Sequence, residues 1–459
     1  MREHQRRAYR ELRNVPRALL AWATGAGKTA CALALAAHHS SKGRMPVIAA
    51  PERALLDAYV RPFSMAVDDV GTEIVRFAGA VGPKDARQLR GWLRSRRGRP
   101  TAVVCTHSML RAAVKRGVKP VDAFLVLDEA HHTRDDGDES NVLGEVVRAF
   151  EALPILAMSA SPFRADERPL MAPDVQATFV ESRFGLADLL ADNGLEILIR
   201  VVAGPLATAI DTLCSRKTKA RIAYLPSVNT AVSKAAGGKY VVRDAVAAAT
   251  ARWTDEPIVD LVSDDEGRGE RVAALRDAIS EGKAARTCVA LNLLREGWDA
   301  PETDDLVVLS APRSLTLQTQ LIGRVTRRPN ASKTTASVTF CVPMGETPNA
   351  DELELFLETL AGVLAIGVQL EADRRQGAGD DALPGGVPER QKRIKRALLV
   401  GARGDASEQR REWVRLSERE RGELQSAFRN VVTAVDADEL GINVYRAATG
   451  LLSASMVVS

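Results

Sequence analysis

The amino-acid sequence predicts an α/β protein of two tandem lobes, each a parallel sheet flanked by helices, followed by a mainly helical C-terminal extension. Short continuous apolar runs alternate with longer helical patterns between residues 18 and 343. Strands that are apolar on both faces belong to parallel sheets covered on both sides. The runs also come in two successive sets, at 18–22, 46–50, 101–105, 124–127 and 155–158, then at 221–225, 287–291, 306–309 and 337–342. The join is expected within 164–181, which gives domains at 1–175, 176–345 and 346–459. In the last of these, 351–370 has the spacing of an amphipathic helix, 377–388 reads as a flexible linker, and 389–429 reads as one or two exposed, charge-rich helices.

The first run leads into Trp22-Ala-Thr24-Gly25-Ala26-Gly27-Lys28-Thr29 and then into an alanine-rich helical pattern. Strand, glycine-containing loop and helix start are what phosphate binding requires. Gly25 and Gly27 let backbone N–H groups close around phosphates at a helix N-terminus. Thr24 and Ala26 complete the loop, Lys28 can neutralise the β- and γ-phosphates, and Thr29 can ligate magnesium. The strict pattern begins with glycine, where this chain has Trp22. Further on, the apolar run 124–127 ends in Asp128-Glu129-Ala130-His131-His132. Two acids at the carboxyl end of a buried strand stand at the sheet edge where the glycine loop lies. Asp128 suits holding magnesium through water, and Glu129 suits orienting and deprotonating an attacking water. ATP and Mg2+ are the cofactors implied.

With loop and acidic box in this order, the sequence resembles the superfamily 2 helicases of the DEAD/DEAH-box kind. It is most similar to the branch of type I and III restriction-enzyme motor subunits and the bacterial excision-repair helicase subunit. The resemblance covers residues 2–343. It implies two RecA-like lobes, ATP hydrolysis at the cleft between them, and use of that cycle on nucleic acid. Ser159-Ala160-Ser161 resembles the family's Ser-Ala-Thr motif, so His131, Ser159 and Ser161 would couple hydrolysis to lobe movement. Gln5 stands where the family often has a glutamine that reads adenine. Gly297-Trp298-Asp299 resembles motif V, which implies Gly297 close to the nucleotide and Asp299 on the ribose. Gln320-Leu-Ile-Gly323-Arg324-Val-Thr-Arg327 resembles motif VI. A spacing of three places Arg324 and Arg327 on nearly one helix face. From there their guanidinium groups can stabilise transition-state charge once the lobes close. Glu129, Gln320, Arg324 and Arg327 form the expected catalytic set.

The same resemblance places Arg53, Thr106 and Ser227 on the nucleic-acid path, where sequence-independent phosphate contacts give most of the affinity. The basic run 87–99, with Trp92 among its arginines, could stack a base or could be a solvated helix face. A net charge of +4 permits nucleic-acid binding without demanding it. The leading expectation is an ATP-dependent DNA helicase or translocase. The alternatives are a nucleic-acid-stimulated switch subunit, partnered by a protein in a restriction, repair or phage-defence complex, and an RNA helicase. Five scattered cysteines without a CxxC pair suggest neither disulfide framework nor zinc site, and a reducing compartment. All six histidines lie at or before His132, so the second half offers no histidine metal site. The charged start does not suit a secretory signal, and no apolar run approaches the length of a membrane span. The expected location is cytoplasmic, with no membrane partner.

Overall fold

In a computed structural model the chain divides into two compact units, Met1–Gly185 and Leu186–Ser459. The structure describes residues 1–51, 53–115, 117–130, 142–160, 175, 177–204, 221–225, 259–261, 270, 274, 277, 287–291, 302–309, 312, 315–327, 333–343, 355, 358–359, 362–363, 366, 441–444, 446–447 and 454–458.

The first unit is built on six parallel strands: β1 (Arg17–Trp22), β2 (Met45–Ala50), β5 (Val103–Thr106), β6 (Ala123–Leu127), β7 (Ile155–Ser159) and β8 (Val180–Phe184). Their order is β5-β2-β6-β7-β1-β8. A small antiparallel pair, β3 (Phe63–Ala66) and β4 (Ile74–Phe77), stands apart. Alternation along each strand sends side chains to both faces. On one face Leu19, Val47, Val103, Leu125 and Ala157 pack with Leu89 and Leu93 of α4 (Ala86–Arg94), Leu110 of α5 (His107–Val114) and Val146 of α6 (Val142–Ala149). The other face meets α2 (Lys28–Ser41), against which α1 (Glu3–Leu12) packs. Residues 31–37 of α2 are all buried. Alanine at half of the helix's inner positions lets it seat close to the strands without an amphipathic stripe.

The five strands expected in this unit form within two residues of the positions read from the sequence. β8 was not legible. It is an edge strand whose Glu181 and Arg183 pair with each other at 2.7 Å instead of showing an apolar run. Because β8 joins β1, the first sheet continues past residue 175, and the division between units falls at Gly185.

Among the described residues, the second unit carries a nine-stranded sheet. Its parallel part contains β9 (Glu196–Gly204), β10 (Arg221–Leu225), β11 (Val259–Leu261), β12 (Thr287–Leu291), β13 (Asp305–Val308) and β14 (Thr335–Pro343), in the order β11-β12-β10-β13-β14-β9. β9 was not anticipated, although it is long and apolar. The preceding helix α7 (Leu186–Asn193) is itself leucine-rich and turns into β9 through Gly194 at φ 56, so the apolar pattern runs on without a polar break. α8 (Leu315–Val325) buries Leu321, Ile322 and Val325.

The C-terminal extension, expected to be mainly helical, contributes strands where it is described. β15 (Gly441–Val444), β16 (Arg446–Ala447) and β17 (Ala454–Val458) add to the β9 side of the second sheet. Their sequences are short and rich in Val, Ile and small residues, which suits strands better than helix turns. Positions 355, 358, 359, 362, 363 and 366 are helical, with Thr359, Val363 and Ile366 buried at the spacing of one helix face. The linker 377–388 and the charged stretch 389–429 lie outside the described residues. Among the described residues, no helix is long and apolar enough to cross a membrane.

Candidate active site

Because β1, β2, β5, β6 and β7 are parallel, their carboxyl ends share one edge of the sheet, and the segments that follow them meet there. After β1 the chain turns through residues 23–27 into α2. Gly25 has φ 91, and Gly27, the residue capping α2, has φ 86. Both are conformations that side-chain-bearing residues adopt only with strain. Lys28 is buried and donates its Nζ to the Trp22 carbonyl at 3.0 Å, so its ammonium is folded into its own loop. Trp22, in the place of the strict pattern's first glycine, is fully buried and donates Nε1 to Ser182 Oγ at 3.1 Å. Its side chain belongs to the β1–β8 core, so the substitution leaves the loop itself clear.

α1 ties the loop from outside. Gln5 Nε2 donates to the Ala26 carbonyl at 3.1 Å, while its Oε1 accepts from the Arg2 N–H at 2.8 Å. His4 Nε2 lies 2.9 Å from the same Ala26 carbonyl. A carbonyl only accepts, so Nε2 carries the proton. The His4 ring stacks on Phe184 at 3.8 Å between centroids and meets Trp22 edge-on. Gln5 was singled out in the sequence. His4 was not, since a histidine in a charged N-terminal helix carries no signal of its own.

Asp128 follows β6 directly, buried, with its N–H donated to the Ala49 carbonyl of β2 at 2.8 Å. Both carboxylate oxygens accept: Oδ1 from the Glu129 N–H at 3.0 Å, Oδ2 from the Tyr59 hydroxyl at 2.7 Å. Burial and the neighbouring Glu129 carboxylate push Asp128 up, against the Tyr59 hydroxyl and the Lys28 ammonium. Glu129 has φ 46, a left-handed conformation that costs a non-glycine residue on the order of 1 kcal/mol. Two adjacent carboxylates facing a lysine, one of them buried, fit a divalent cation, whose charge would relieve their mutual repulsion. Among the described residues no group of three or more His, Cys, Asp or Glu could hold a metal alone. Magnesium here would depend on Thr29, water on Asp128 and the nucleotide's own phosphates.

Ser159 ends β7 at the same edge, fully buried; Ser161 and His131 lie outside the described residues. Thr106, the last residue of β5, uses its hydroxyl to cap α5, accepting from the Met109 N–H at 3.3 Å. Arg53 opens α3 (Arg53–Val60); its side chain, Ser227, Gly297 and Asp299 lie outside the described residues. The basic run 87–99 faces elsewhere. Arg90 donates to the Ala112 and Ala113 carbonyls, Arg96 pairs with Asp122, and Arg99 donates to the Val121 carbonyl at 2.7 Å. Residues 121 and 122 precede β6, at the opposite edge of the sheet, and Trp92 packs against the core. Arg90 and Arg99 are thus tied to the backbone of their own unit.

In the second unit Gln320 and Arg324 lie in α8, both buried, and Arg327 is half-buried. One sequence expectation needs correction: Arg324 and Arg327 do not share a helix face, because α8 ends at Val325. The Thr326 hydroxyl folds back to the Gly323 carbonyl at 3.0 Å, and Asn193 donates to the Thr326 carbonyl at 3.0 Å. Pro329 in the sequence also disfavours continuing the helix. Arg327 stands near Lys333, which donates to the Thr303 carbonyl at 2.6 Å. Burial pulls that ammonium down to about 8, with Arg327 adding to the push and Asp304 and Glu302 opposing it.

Residues 2–168 match the family described as DEAD/DEAH box helicase. Over 287 residues the chain is 28% identical to the protein named "Putative ATP-dependent helicase YeeB" of Bacillus subtilis (strain 168); the match covers 57% of this chain and 47% of YeeB. Among solved structures, the fold is similar to that of the ATP-dependent Type ISP restriction-modification enzyme LlaBIII bound to DNA. That match has a TM-score of 0.55 and 15% identity, covering 87% of this chain and 32% of LlaBIII. It is similar also to the DUF1998 helicase MrfA bound to DNA, at a TM-score of 0.52 and 13% identity, covering 79% of this chain and 55% of MrfA. The chain thus spans about half the length of YeeB and a third of LlaBIII. The likeness to the DEAD/DEAH box helicases is thus carried by residues 2–168.

Proposed function

We propose that this chain is an ATP-hydrolysing motor that moves along DNA. The observation that carries the reading is the meeting, at one edge of the first sheet, of a glycine loop bearing Lys28 and Thr29 with the Asp128–Glu129 pair. On binding ATP, Lys28 would leave the Trp22 carbonyl for the β- and γ-phosphates, and Thr29 and Asp128 would hold magnesium. Magnesium supplies charge neutralisation for the phosphates. Glu129 would orient the attacking water and take its proton. Arg324 and Arg327, with Gln320, would complete the site when the two units close, as Gly297 and Asp299 would on the ribose side. His131, Ser159 and Ser161 would pass the state of the nucleotide to that closure. Arg53, Thr106 and Ser227 would contact the nucleic-acid backbone. DNA is favoured as the polymer because the structures of LlaBIII and MrfA contain it.

The test is ATP turnover with and without DNA and RNA of matched sequence, in wild type and Glu129→Gln. DNA should stimulate wild-type turnover above RNA, and Glu129→Gln should keep nucleotide and DNA bound while turnover stops. Stimulation by RNA alone would make the protein an RNA helicase. Turnover that appears only with a co-purified protein would make it a switch subunit. Full turnover by Glu129→Gln would end the site assignment.

A further inference from the structure

Tyr59 is the penultimate residue of α3 and has no exposed surface. Packing alone would be served as well by phenylalanine, since a buried hydroxyl is costly unless it finds a partner. Here the hydroxyl donates to Asp128 Oδ2 at 2.7 Å, and the Thr29 side chain interacts with the same hydroxyl. One phenol therefore touches both residues assigned above to the metal.

The tyrosine is held from outside the glycine loop. α3 follows β2, the strand whose Ala49 carbonyl accepts the Asp128 N–H. The Tyr59 carbonyl accepts from the Ala80 N–H at 3.0 Å. Gly79, at φ 90, passes so close that an added Cβ would stand 2.3 Å from the Val60 carbonyl. The ring thus has a fixed backbone that does not depend on the nucleotide. Asp128 in turn has one donor on each carboxylate oxygen, Tyr59 on Oδ2 and the Glu129 N–H on Oδ1. A carboxylate offers about four lone-pair directions, so this fixes its plane and leaves room on both oxygens for metal-bound water.

We propose that Tyr59 is a positioning residue for the divalent cation, its hydroxyl holding the Asp128 carboxylate and the Thr29 hydroxyl at the separation the cation needs. This rests on reading the site as an ATP–magnesium site. Neither residue would lose its own role if the phenol were removed. Each would lose its alignment with the other, and partners in this outer layer commonly change metal affinity by about tenfold or more.

The test is Tyr59→Phe, read by binding of a fluorescent ATP analogue in EDTA and across a magnesium titration. Metal-free affinity should stay within about twofold, while the magnesium concentration for half-saturation rises about tenfold. Wild-type magnesium dependence in Tyr59→Phe would overturn the inference. A wild type that shows no magnesium-dependent binding, or Lys28→Ala that binds as wild type does, would instead bring down the underlying site. If Tyr59→Phe lowers the melting temperature, a cycle with Asp128→Asn decides. A tyrosine acting through Asp128 loses its effect on magnesium dependence in the Asn background. An effect of equal size in both backgrounds means a structural role only and rejects the proposal.

Discussion

The two units hold their candidate site residues in different ways. In the first, the groups brace one another. Lys28 rests on the Trp22 carbonyl, His4 and Gln5 share the Ala26 carbonyl, and Asp128 takes donors from Tyr59 and from Glu129. Five separate segments of chain, α1, the loop after β1, α3, β2 and the turn after β6, converge on a few polar atoms. In the second, Gln320 and Arg324 sit in a helix packed on its own sheet, and Arg327 follows in the turn that ends it. Under the proposed function, the first unit would receive the triphosphate and the second would supply cations from α8 and the turn that follows it. Preorganisation lowers the reorganisation needed when charge develops, and a cation on a separate unit can make hydrolysis depend on where that unit is.

The sharpest way to break this comparison is to remove one cation from each unit. Lys28→Ala should abolish measurable nucleotide binding and turnover together, because the triphosphate loses its principal countercharge. Arg324→Ala or Arg327→Ala should leave nucleotide binding close to wild type yet lower kcat by about a thousandfold, the lower end of the usual contribution of an arginine finger. Equilibrium binding and steady-state turnover of the three variants settle it. Loss of binding in the arginine variants would erase the distinction between a receiving and a completing unit.

Legibility in the sequence followed the same divide between backbone and tertiary contact. The glycine loop and the acidic pair could be read because each follows a continuous apolar strand, and the parallel order of β1, β6 and β7 then brings them to one edge. His4 and Tyr59 could not, since their meaning lies in contacts across 22 and 69 residues of chain. A spacing of three promised that Arg324 and Arg327 share a helix face, but helix length is set by caps. Thr326 and Asn193 supply a stop that no periodicity announces. The arginines of 87–99 could be read from charge alone either as a stacking surface or as a solvated face, because charge density does not show that Arg90 and Arg99 donate to carbonyls of their own unit. β8 was missed because an edge strand needs no apolar run of its own when its neighbour supplies the core.

A smaller effect is expected from crowding the loop. At Gly27, φ is +86 and an added Cβ would stand 2.1 Å from Gln5 Nε2. Gln5 can move, but the backbone conformation remains strained for any L side chain, at a cost of about 1–2 kcal/mol. Gly27→Ala should therefore weaken ATP-analogue binding by about tenfold and uncouple Gln5 from the Ala26 carbonyl. Adding Gln5→Ala should recover only the steric part. Full recovery would show that the clash, and not the left-handed backbone, is what forbids a side chain there.

The smallest effect should be a gain. Asp128 is raised to about 6, chiefly by burial and then by Glu129. A carboxyl whose folded pKa lies above its unfolded value near 3.8 stabilises the fold most when protonated. That contribution is fully present below the unfolded value and is lost as pH rises towards 6. Asp128→Asn keeps the shape and removes the charge. Its Oδ1 can accept the Glu129 N–H, and the Tyr59 hydroxyl, which can also accept, can turn to take the new amide. At pH 7 without nucleotide the variant should melt higher, by on the order of 3 °C for each kcal/mol regained. At pH 4.5 that advantage should shrink, and the magnesium dependence of ATP binding should be weakened at both but still measurable, since Thr29 and the phosphates can still hold the cation. An advantage independent of pH would mean that the hydrogen bonding or packing of the new amide, and not relief of the buried charge, is its source.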